Sequence, residues 1–356
     1  MTKWEVLNWL GTSSLLILSI LITHTSYAES TATSMDDPNL TEECRRLRSD
    51  INADLGEILG AGCEPTTGQM SKLMDNPLGN VAMFINQFDV YFMEDPATGI
   101  DEVKSGYTGI LQFPKGIGRE WNIINRVVFT VPSMPLDQDK IDAAGAGSDY
   151  GEGQGPILPP DSNGPLLPVQ AFDGRTTGFG DMYYVGLLSP KAGIKHETGG
   201  TSVWGLGFDL GLPTATEDVL GTGRWSAGPS ALYAYLGPKW KIGGLLQQYW
   251  SFDDDDRNDV NLTNLQYFVY YALDDTTSLG AGPNIIANWE QSSGNEWTVP
   301  VGFGVNKTIQ FGKIPVRFAL EAHYSVITPD DVVGAEWDVR FMIIPAAPSA
   351  LFSWMQ

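Results

Sequence analysis

Ionisable side chains recur at alternate positions in the C-terminal part of the chain. Arg317, Glu321 and His323 share one face there, and Ser325 follows on that face, because alternate side chains of a β-strand point to opposite sides. A histidine close to a serine could support nucleophilic hydrolysis of a lipid. However, the sequence contains no GxSxG elbow, and strand parity turns His323 away from the apolar face that would meet lipid. The pattern therefore predicts a protein that is not an enzyme, with a membrane lipid hydrolase as the least favoured alternative.

The segments around these groups alternate as long β-strands do. Apolar residues occupy every second position in 204–212, 297–305, 316–326 and 337–343. A soluble β-sandwich alternates in the same way, but these strands run to about 10–14 residues, a length suited to a tilted membrane crossing. Tryptophans also gather near the predicted turns, as the aromatic girdles of a membrane barrel require. Twelve strands are predicted, at residues 81–93, 106–113, 120–131, 178–189, 201–212, 224–236, 239–252, 261–273, 276–290, 296–308, 315–327 and 335–344.

The predicted connections alternate in length. Short ones such as 114–119 and 237–238 are separated by longer, more polar ones such as 132–177 and 213–223. This is the known asymmetry between the periplasmic turns and the outer loops of outer-membrane barrels. The predicted fold class is therefore all-β: a transmembrane antiparallel up-and-down β-barrel of about 12 strands, with a short helical N-terminal segment.

The N-terminal part of the chain differs from the barrel. Residues 1–28 are predicted to be a signal peptide, because an apolar stretch too short to span a bilayer precedes the small residues around Ala28. Residues 29–75 carry the helical signals, residues 76–345 are assigned to the barrel, and residues 346–356 are assigned to a C-terminal tail.

One short amphipathic helix is predicted within residues 29–75, with Thr41 as its N-cap. Its apolar stripe consists of residues at four-residue spacing, namely Leu47, Ile51, Leu55 and Leu59. Cys44 and Cys63 are the two cysteines of the chain. In an oxidising periplasm they are expected to form a disulfide with each other.

The chain is strongly acidic, with 43 Asp and Glu against 21 Lys and Arg and a net charge of −22. The basic residues do not cluster, which excludes nucleic acid as a partner. The acidic residues concentrate in connections, and the aspartate run 253–256 is expected to be solvated charge rather than a calcium site. No metal ion and no cofactor is predicted.

Long segments with ordered glycine and aromatic positions run through most of the chain. They are NPLGNVAMFINQFDVYF (76–92), GLGFDLGLPTAT (205–216), GTGRWSAGPSALYAYLGPKWKIGGLLQQYWSF (221–252), ANWE (287–290) and WTVPVGFGVNKTIQFGKIPVRFALEAHYSV (297–326). Together they resemble the bacterial outer-membrane family described as "Putative MetA-pathway of phenol degradation", over nearly everything from residue 70 to the last strand. The resemblance implies the barrel fold, an outer-membrane location and a link to the uptake of aromatic compounds.

Strand parity predicts which ionisable side chains line the lumen or its rim. These lumen candidates are Asp89, Arg126, Asp209, Lys241, Glu290, Glu296, Arg317, Glu321, His323, Asp338 and Arg340. Both signs of charge are present, so the set is compatible with a polar path through a charged constriction and with a salt-bridge network that fills the barrel. The same parity turns Asn86, Asn125 and Gln248 towards lipid, which predicts bulges in their strands.

The function favoured by these observations is a porin-like passive channel or transporter for small aromatic or hydrophobic molecules, of unknown identity. The location expected is the outer membrane of a Gram-negative cell, with both termini in the periplasm. The alternative is a closed structural or surface-interaction barrel. The expected partners are outer-membrane lipids, lipopolysaccharide and the barrel assembly machinery.

Overall fold

The computed structural model describes residues 40–51, 53, 55–94, 101–139, 174–197, 199–254, 259–312, 314–329 and 334–348. The predicted signal peptide and residues 140–173 of the long 132–177 connection lie outside these residues. Within the described part of the chain β-structure predominates, and three helices precede the first strand.

Twelve long strands form one closed antiparallel sheet. Each strand pairs with its neighbours in sequence, and the first pairs with the last, with Val81 opposite Pro348. The strands are β1 (Val81–Glu94), β2 (Asp101–Ile117), β3 (Trp121–Met134), β4 (Met182–Pro190), β5 (Thr201–Leu212), β6 (Ser226–Leu236), β7 (Trp240–Ser251), β8 (Asn261–Ala272), β9 in two parts, β9a (Thr277–Ala281) and β9b (Asn284–Asn288), β10 (Trp297–Phe311), β11 (Ile314–Ile327) and β12 (Gly334–Pro348). The predicted up-and-down barrel is confirmed.

The strand bounds differ from the prediction in a few places. β2 begins at Asp101 rather than at residue 106. β12 continues to Pro348 because its last residues pair with the beginning of β1, so the barrel extends beyond the predicted boundary at 345. The unexpectedly long turn after β4 contains a two-residue strand, Ile194–Lys195, which pairs with the first residues of β5.

The two ends of the barrel differ in their connections. We call the end at which β1 begins and β12 ends the turn end, and its connections include 118–120 and 237–239. The opposite end, the loop end, has the longer connections, among them 135–181 and 213–225. An even number of strands brings both ends of the barrel chain to the turn end.

The outer surface of the barrel is apolar and is bounded by aromatic side chains. Leu206, Phe208, Phe303 and Val326 are exposed on this surface. Exposed tryptophans lie near both ends, Trp240 near the turn end and Trp225, Trp250, Trp289, Trp297 and Trp337 near the loop end. This distribution matches the apolar band and the two girdles of a membrane-spanning barrel.

Two asparagines face outwards in this apolar band. Asn86 lies opposite Gly109, and the hydroxyl of Tyr107 donates a hydrogen bond of 2.9 Å to Asn86 Oδ1. The Nδ2 of Asn86 donates to two backbone carbonyl oxygens at 3.1 Å. The same arrangement recurs on β3 and β4, with Asn125, Gly186 and Tyr184. Each amide is thus hydrogen-bonded on the outer surface.

The predicted bulges at Asn86, Asn125 and Gln248 are therefore wrong. The strand register continues unchanged through these positions, and Gln248 is bonded to Asn261 and Thr263 of β8. Register shifts occur instead in β1, after Phe92, and in β10, after Val299. Polar groups can remain on the lipid side because neighbouring strands complete their hydrogen bonds.

The N-terminal segment contains three helices rather than one, α1 (Glu42–Ser49), α2 (Leu55–Gly60) and α3 (Thr67–Met74). Thr41 is the N-cap of α1, as predicted, and its side chain accepts a hydrogen bond from the Cys44 amide. The single predicted helix is wrong because α1 ends at Ser49. The apolar stripe is consequently broken, and Ile58, not Leu59, is fully buried. None of the helices in the described residues is long and apolar enough to span a membrane.

The predicted disulfide between Cys44 and Cys63 is confirmed. Both cysteines are buried together with Leu47 and Ile58. The disulfide and this small cluster tie α1 to the end of α2, in a segment too short to form a large core of its own.

Gly207 and Gly205 provide a matched test of how tightly neighbouring strands approach. Both project into the lumen from β5, but a Cβ on Gly207 would collide with the backbone carbonyl of Gly186, whereas a Cβ on Gly205 would make ordinary contacts at 3.4 Å. We expect Gly207→Ala to lower the free energy of unfolding by about 1–3 kcal/mol, and Gly205→Ala to change it little. Urea unfolding of the barrel, followed by heat-modifiable gel mobility, measures both. Equal effects would contradict this account.

Candidate functional site

The lumen of the barrel is lined by polar and charged side chains. Of the predicted lumen residues, Glu290 and Glu296 lie in the loop-end connection between β9b and β10. The others project inwards, and most are buried: Asp89, Arg126, Asp209, Lys241, Arg317, Glu321, His323, Asp338 and Arg340. The structure thus brings these distant residues together in one interior.

Helix α3 plugs the turn end of this lumen. A capping box between Thr66 and Gln69 begins the helix, and Gln69, Met70, Ser71 and Met74 are buried. The Ser71 hydroxyl and carbonyl oxygens accept hydrogen bonds from Arg317 of β11, at 3.1 and 2.8 Å. The helix therefore binds the barrel wall through specific polar contacts as well as through apolar packing.

Asp75, directly after α3, forms the strongest of these contacts. Its Oδ1 lies 2.8 Å from Arg317 Nη2, and its Oδ2 pairs with Lys241 Nζ of β7. The side chain is 9% exposed. Burial lowers the pKa of nearby Lys72, although Asp50 and Asp75 partly oppose the change. One carboxylate thus links the N-terminal segment to two strands on different sides of the barrel.

The sequence prediction missed Asp75 and Ser71. The available signal was the Thr66-x-x-Gln69 spacing, which is typical of a helix start. It would have placed a helix over the residues that follow and Asp75 at its C-terminal end. Which strands that end contacts could not be derived from local sequence.

A cavity of about 170 Å³ lies directly above the plug. Apolar side chains from many strands line it, including Met83, Ile85, Ile110, Leu232, Leu245, Phe268, Met342 and Ile344. Four cationic side chains also line it, Arg126, Lys241, Arg317 and Arg340, together with the carboxylate of Asp75. The cavity combines apolar walls with positively charged groups.

A cross-lumen contact separates this large cavity from a second one of about 60 Å³. The Nη1 and Nη2 of Arg126 on β3 both lie 3.2 Å from Gln266 Oε1 on β8. Both cavities are lined by Arg126 and Gln266, as well as by Gln87 and Ile110. The Arg126–Gln266 contact therefore forms a constriction between the two cavities.

Buried ionic groups form a network in the wall made by β11, β12 and β1. Arg340 Nε donates to Asp89 Oδ1 at 2.7 Å. The two ring nitrogens of His323 lie 2.7 Å from Asp338 Oδ2 and 3.0 Å from Glu321 Oε2. Glu321 also accepts hydrogen bonds from the Tyr270 hydroxyl and the Gly282 amide. Both ring nitrogens of His323 thus face a carboxylate, and the ring is held between Asp338 and Glu321.

A family model described as "Putative MetA-pathway of phenol degradation" matches residues 112–331. The chain belongs to this family. The match covers more than half of the chain and includes β3 to β11, so it contains most of the lumen wall. The resemblance inferred from the sequence is confirmed.

One solved structure has a similar fold. The chain is similar to an outer membrane channel from Pseudomonas putida F1, at 15% identity and a TM-score of 0.50, over 75% of this chain and 94% of that one. It is more weakly similar to outer membrane phospholipase A from Escherichia coli, at 11% identity and a TM-score of 0.36, over 78% of this chain and 98% of that one. Its similarity to a FadL homologue from Pseudomonas aeruginosa is also weak, at 8% identity and a TM-score of 0.33, over 76% of this chain and 90% of that one. No curated protein matches the chain.

The position of His323 argues against the hydrolase alternative. The side chain is 1% exposed and faces the lumen. Its two ring nitrogens are bonded to Asp338 and Glu321, so neither is left for Ser325. A lipid hydrolase would need its histidine hydrogen-bonded to the nucleophile and accessible from the membrane.

Two acidic residues at the loop end, Asp253 and Asp259, are bound to a cationic side chain of the protein itself. Asp253 accepts a 2.7 Å hydrogen bond from the buried Arg224, and Asp259 lies 3.3 Å from the same guanidinium. Partial burial raises the pKa of Asp253, but the bonds from Arg224 and the Trp225 amide outweigh this and keep it below its usual range. In the described residues no group of three or more His, Cys, Asp and Glu is arranged to hold a metal ion.

Neutralising Asp75 should release the plug. Asp75→Asn leaves Lys241 and Arg317 without their shared carboxylate, and we expect it to weaken docking of the N-terminal segment by on the order of 3 kcal/mol. Limited proteolysis should then cleave residues 40–75 faster while the barrel stays intact. Glu43→Gln, which removes an exposed carboxylate of the same segment, is the control and should leave the rate unchanged. If both variants are cleaved at the wild-type rate, Asp75 does not hold the plug.

Proposed function

We propose that this protein is an outer-membrane channel through which small molecules cross passively, with the N-terminal segment as its gate. The observation that carries the proposal is the pair of lumen cavities that share the Arg126–Gln266 constriction. Two barriers then lie in series: this contact in the middle of the barrel, and α3 at the turn end. Both consist of side-chain contacts that can break without disturbing the strand ladder.

We infer that the solutes combine an apolar body with an anionic or strongly polar group. The large cavity offers apolar walls and four cationic side chains, and about 150 Å³ is enough for a benzene-sized molecule. Small aromatic acids or phenolic compounds fit this chemistry, and the family description points the same way. A highly hydrated cation would meet mainly positive charge in this cavity.

We further propose that the turn end faces the periplasm, which puts both ends of the barrel chain there. The short connections at this end and the longer loops at the other support this orientation. The loop end would then meet lipopolysaccharide, and insertion would depend on the barrel assembly machinery.

The closed structural barrel remains the second candidate function. The observation that favours it is the buried network of Asp89, Arg340, Glu321, His323 and Asp338, which fills part of the lumen with paired charges. A barrel with only this role would stay closed when the two barriers are removed.

Conductance in planar bilayers tests the channel. The plug and the Arg126–Gln266 contact are barriers in series, so when one of them is removed, the other still limits the ion current. We therefore expect Asp75→Asn and Arg126→Ala to raise the conductance modestly on their own and severalfold more in combination, with a preference for anions in a salt gradient. Arg119→Ala, at an exposed position of the turn end, should leave conductance unchanged. A silent double variant whose folding is confirmed would favour the structural barrel.

Labelling of single cysteines tests the orientation. Ser293→Cys and Arg119→Cys place thiols at exposed positions of the loop end and the turn end, while the native cysteines are held in their disulfide. In intact cells we expect a membrane-impermeant maleimide to label the loop-end thiol at once, and the turn-end thiol only after the outer membrane is permeabilised. The reverse pattern would show that the barrel is inserted the other way round.

A further inference from the structure

The strand ladder has a gap between β9 and β10. Pairing is present at residues 277–279 of β9 and again at 286–287, in the same register with β10. Residues 280–285 and the facing residues 299–304 form no ladder pairs with each other, although the structure describes all of them. On their other sides, residues 280, 281, 284 and 285 pair with β8, and residues 299–304 pair with β11. At about 3.3 Å per residue the gap is about 20 Å long. Such a gap is unusual, because backbone groups within a membrane must be hydrogen-bonded inside the protein.

At the gap β9 steps inwards, towards the lumen. A Cβ on Gly302, which faces the lumen, would lie 3.1 Å from the Cβ of Ala281, so this part of β9 covers the inner side of β10. The Gly282 amide donates to Glu321 at 3.0 Å, and its carbonyl accepts from Arg340 at 3.2 Å. Charged lumen side chains thus replace the missing ladder partner of this strand.

Tyr267 crosses this step on the outer surface. Tyr267 faces outwards from β8, and its hydroxyl donates a 2.8 Å hydrogen bond to the Pro300 carbonyl of β10. This side chain therefore spans from β8 to β10 across the displaced β9. The bond also satisfies a carbonyl group that the broken ladder leaves without a strand partner.

The wall beneath Tyr267 borders two cavities. Gly282, which has no side chain, lines the large cavity. Pro283 and Pro300 line a separate cavity of about 30 Å³ beside His323 and Asp338. A Cβ on Gly282 would lie 3.5 Å from the Tyr267 carbonyl oxygen, so these two residues are neighbours in the wall, with Gly282 at the lumen and the Tyr267 side chain on the outer surface.

We propose that this seam is a lateral portal, through which a small apolar molecule leaves the large cavity for the hydrocarbon of the membrane. The portal rests on the proposed channel function, because the solute reaches it through the loop end of the lumen. Tyr267 is its outer lid, and the segment 280–285 is its movable wall. Movement of this segment breaks no ladder bonds to β10, since none are present there. The segment is held in the sheet by its pairs with β8 and by the bond from the Tyr267 amide to the Pro283 carbonyl, so it would move about the β8 side.

The portal can be tested in cells with the apolar fluorescent dye N-phenyl-1-naphthylamine, which brightens when it enters lipid. Tyr267→Ala removes the lid from the outer side without touching the lumen, and we expect it to speed dye entry about tenfold, which corresponds to about 1.4 kcal/mol of barrier height. Tyr271→Ala, four residues further along the outward face of β8, is the matched control and should not change the rate. A wild-type rate in Tyr267→Ala, or an equal rise in both variants, would overturn the portal.

A second variant tests the wall from the inside. A Cβ on Gly282 would lie 3.2 Å from the Tyr270 hydroxyl at the edge of the large cavity, so Gly282→Leu fills the space behind the seam. We expect dye entry to fall to the rate of cells without the protein. Gly106→Leu, on the distant strand β2 with its nearest neighbour at 3.8 Å, is the control and should retain the wild-type rate. Dye entry that survives Gly282→Leu in the folded barrel would contradict the portal.

Conductance measured on the same Tyr267→Ala protein separates the two proposals. Ion flow along the lumen reports the channel, and dye entry reports the seam. Wild-type conductance with accelerated dye entry supports both. If conductance is present but Tyr267→Ala leaves dye entry unchanged, only the portal fails. If the variants with weakened barriers neither conduct nor admit dye, the channel and the portal both fail.

Discussion

The structure depends on one constraint: backbone amide and carbonyl groups inside a membrane must find partners within the protein. The ladder that closes β1 on β12 meets most of this requirement, with the gap between β9 and β10 as an exception. The ladder also fixes the side of the wall to which each side chain points. A one-residue slip would turn the charges of β11 to the lipid and its apolar residues inwards. Polar side chains on the lipid side follow the same constraint. Asn86 and Asn125 are tolerated there because backbone carbonyls and tyrosine hydroxyls complete their bonds.

The same parity concentrates charge in the lumen, where each ion needs a counter-ion because it has lost much of its hydration. Most pairs are formed within the wall, such as Arg340 with Asp89. Lys241 and Arg317 are different, since their shared carboxylate comes from Asp75 in the N-terminal segment. Docking of the plug therefore gives two cations of the large cavity one shared counter-ion. Release of the plug would open the turn end and expose positive charge to solutes in a single event.

Strand number and side-chain direction could be predicted from the sequence because they depend on a local, two-residue repeat. The alternation around Arg317, Glu321 and His323 is enough to place them in the lumen. Their partners could not be predicted in this way. Arg317 and Asp75 are 242 residues apart in sequence, and Asp89 and Arg340 meet only because β1 closes on β12. Helix α3 was missed although the Thr66-x-x-Gln69 spacing of its capping box is visible in the sequence, because the prediction relied on the apolar stripe, which ends at Leu59.

The break in β9 shows how the structural and transport interpretations of the lumen network can both hold. The sequence Gly280-Ala281-Gly282-Pro283 contains two glycines and a proline, which weaken a strand. Such a break in lipid would be costly if the freed groups had no partners. Glu321 and Arg340 supply them, since each binds Gly282 while it is also paired with other ionic groups of the network. The buried charges therefore stabilise the barrel because they support an irregular wall. A network that only filled the lumen would not need to bind the backbone of β9 at the one place where it leaves β10.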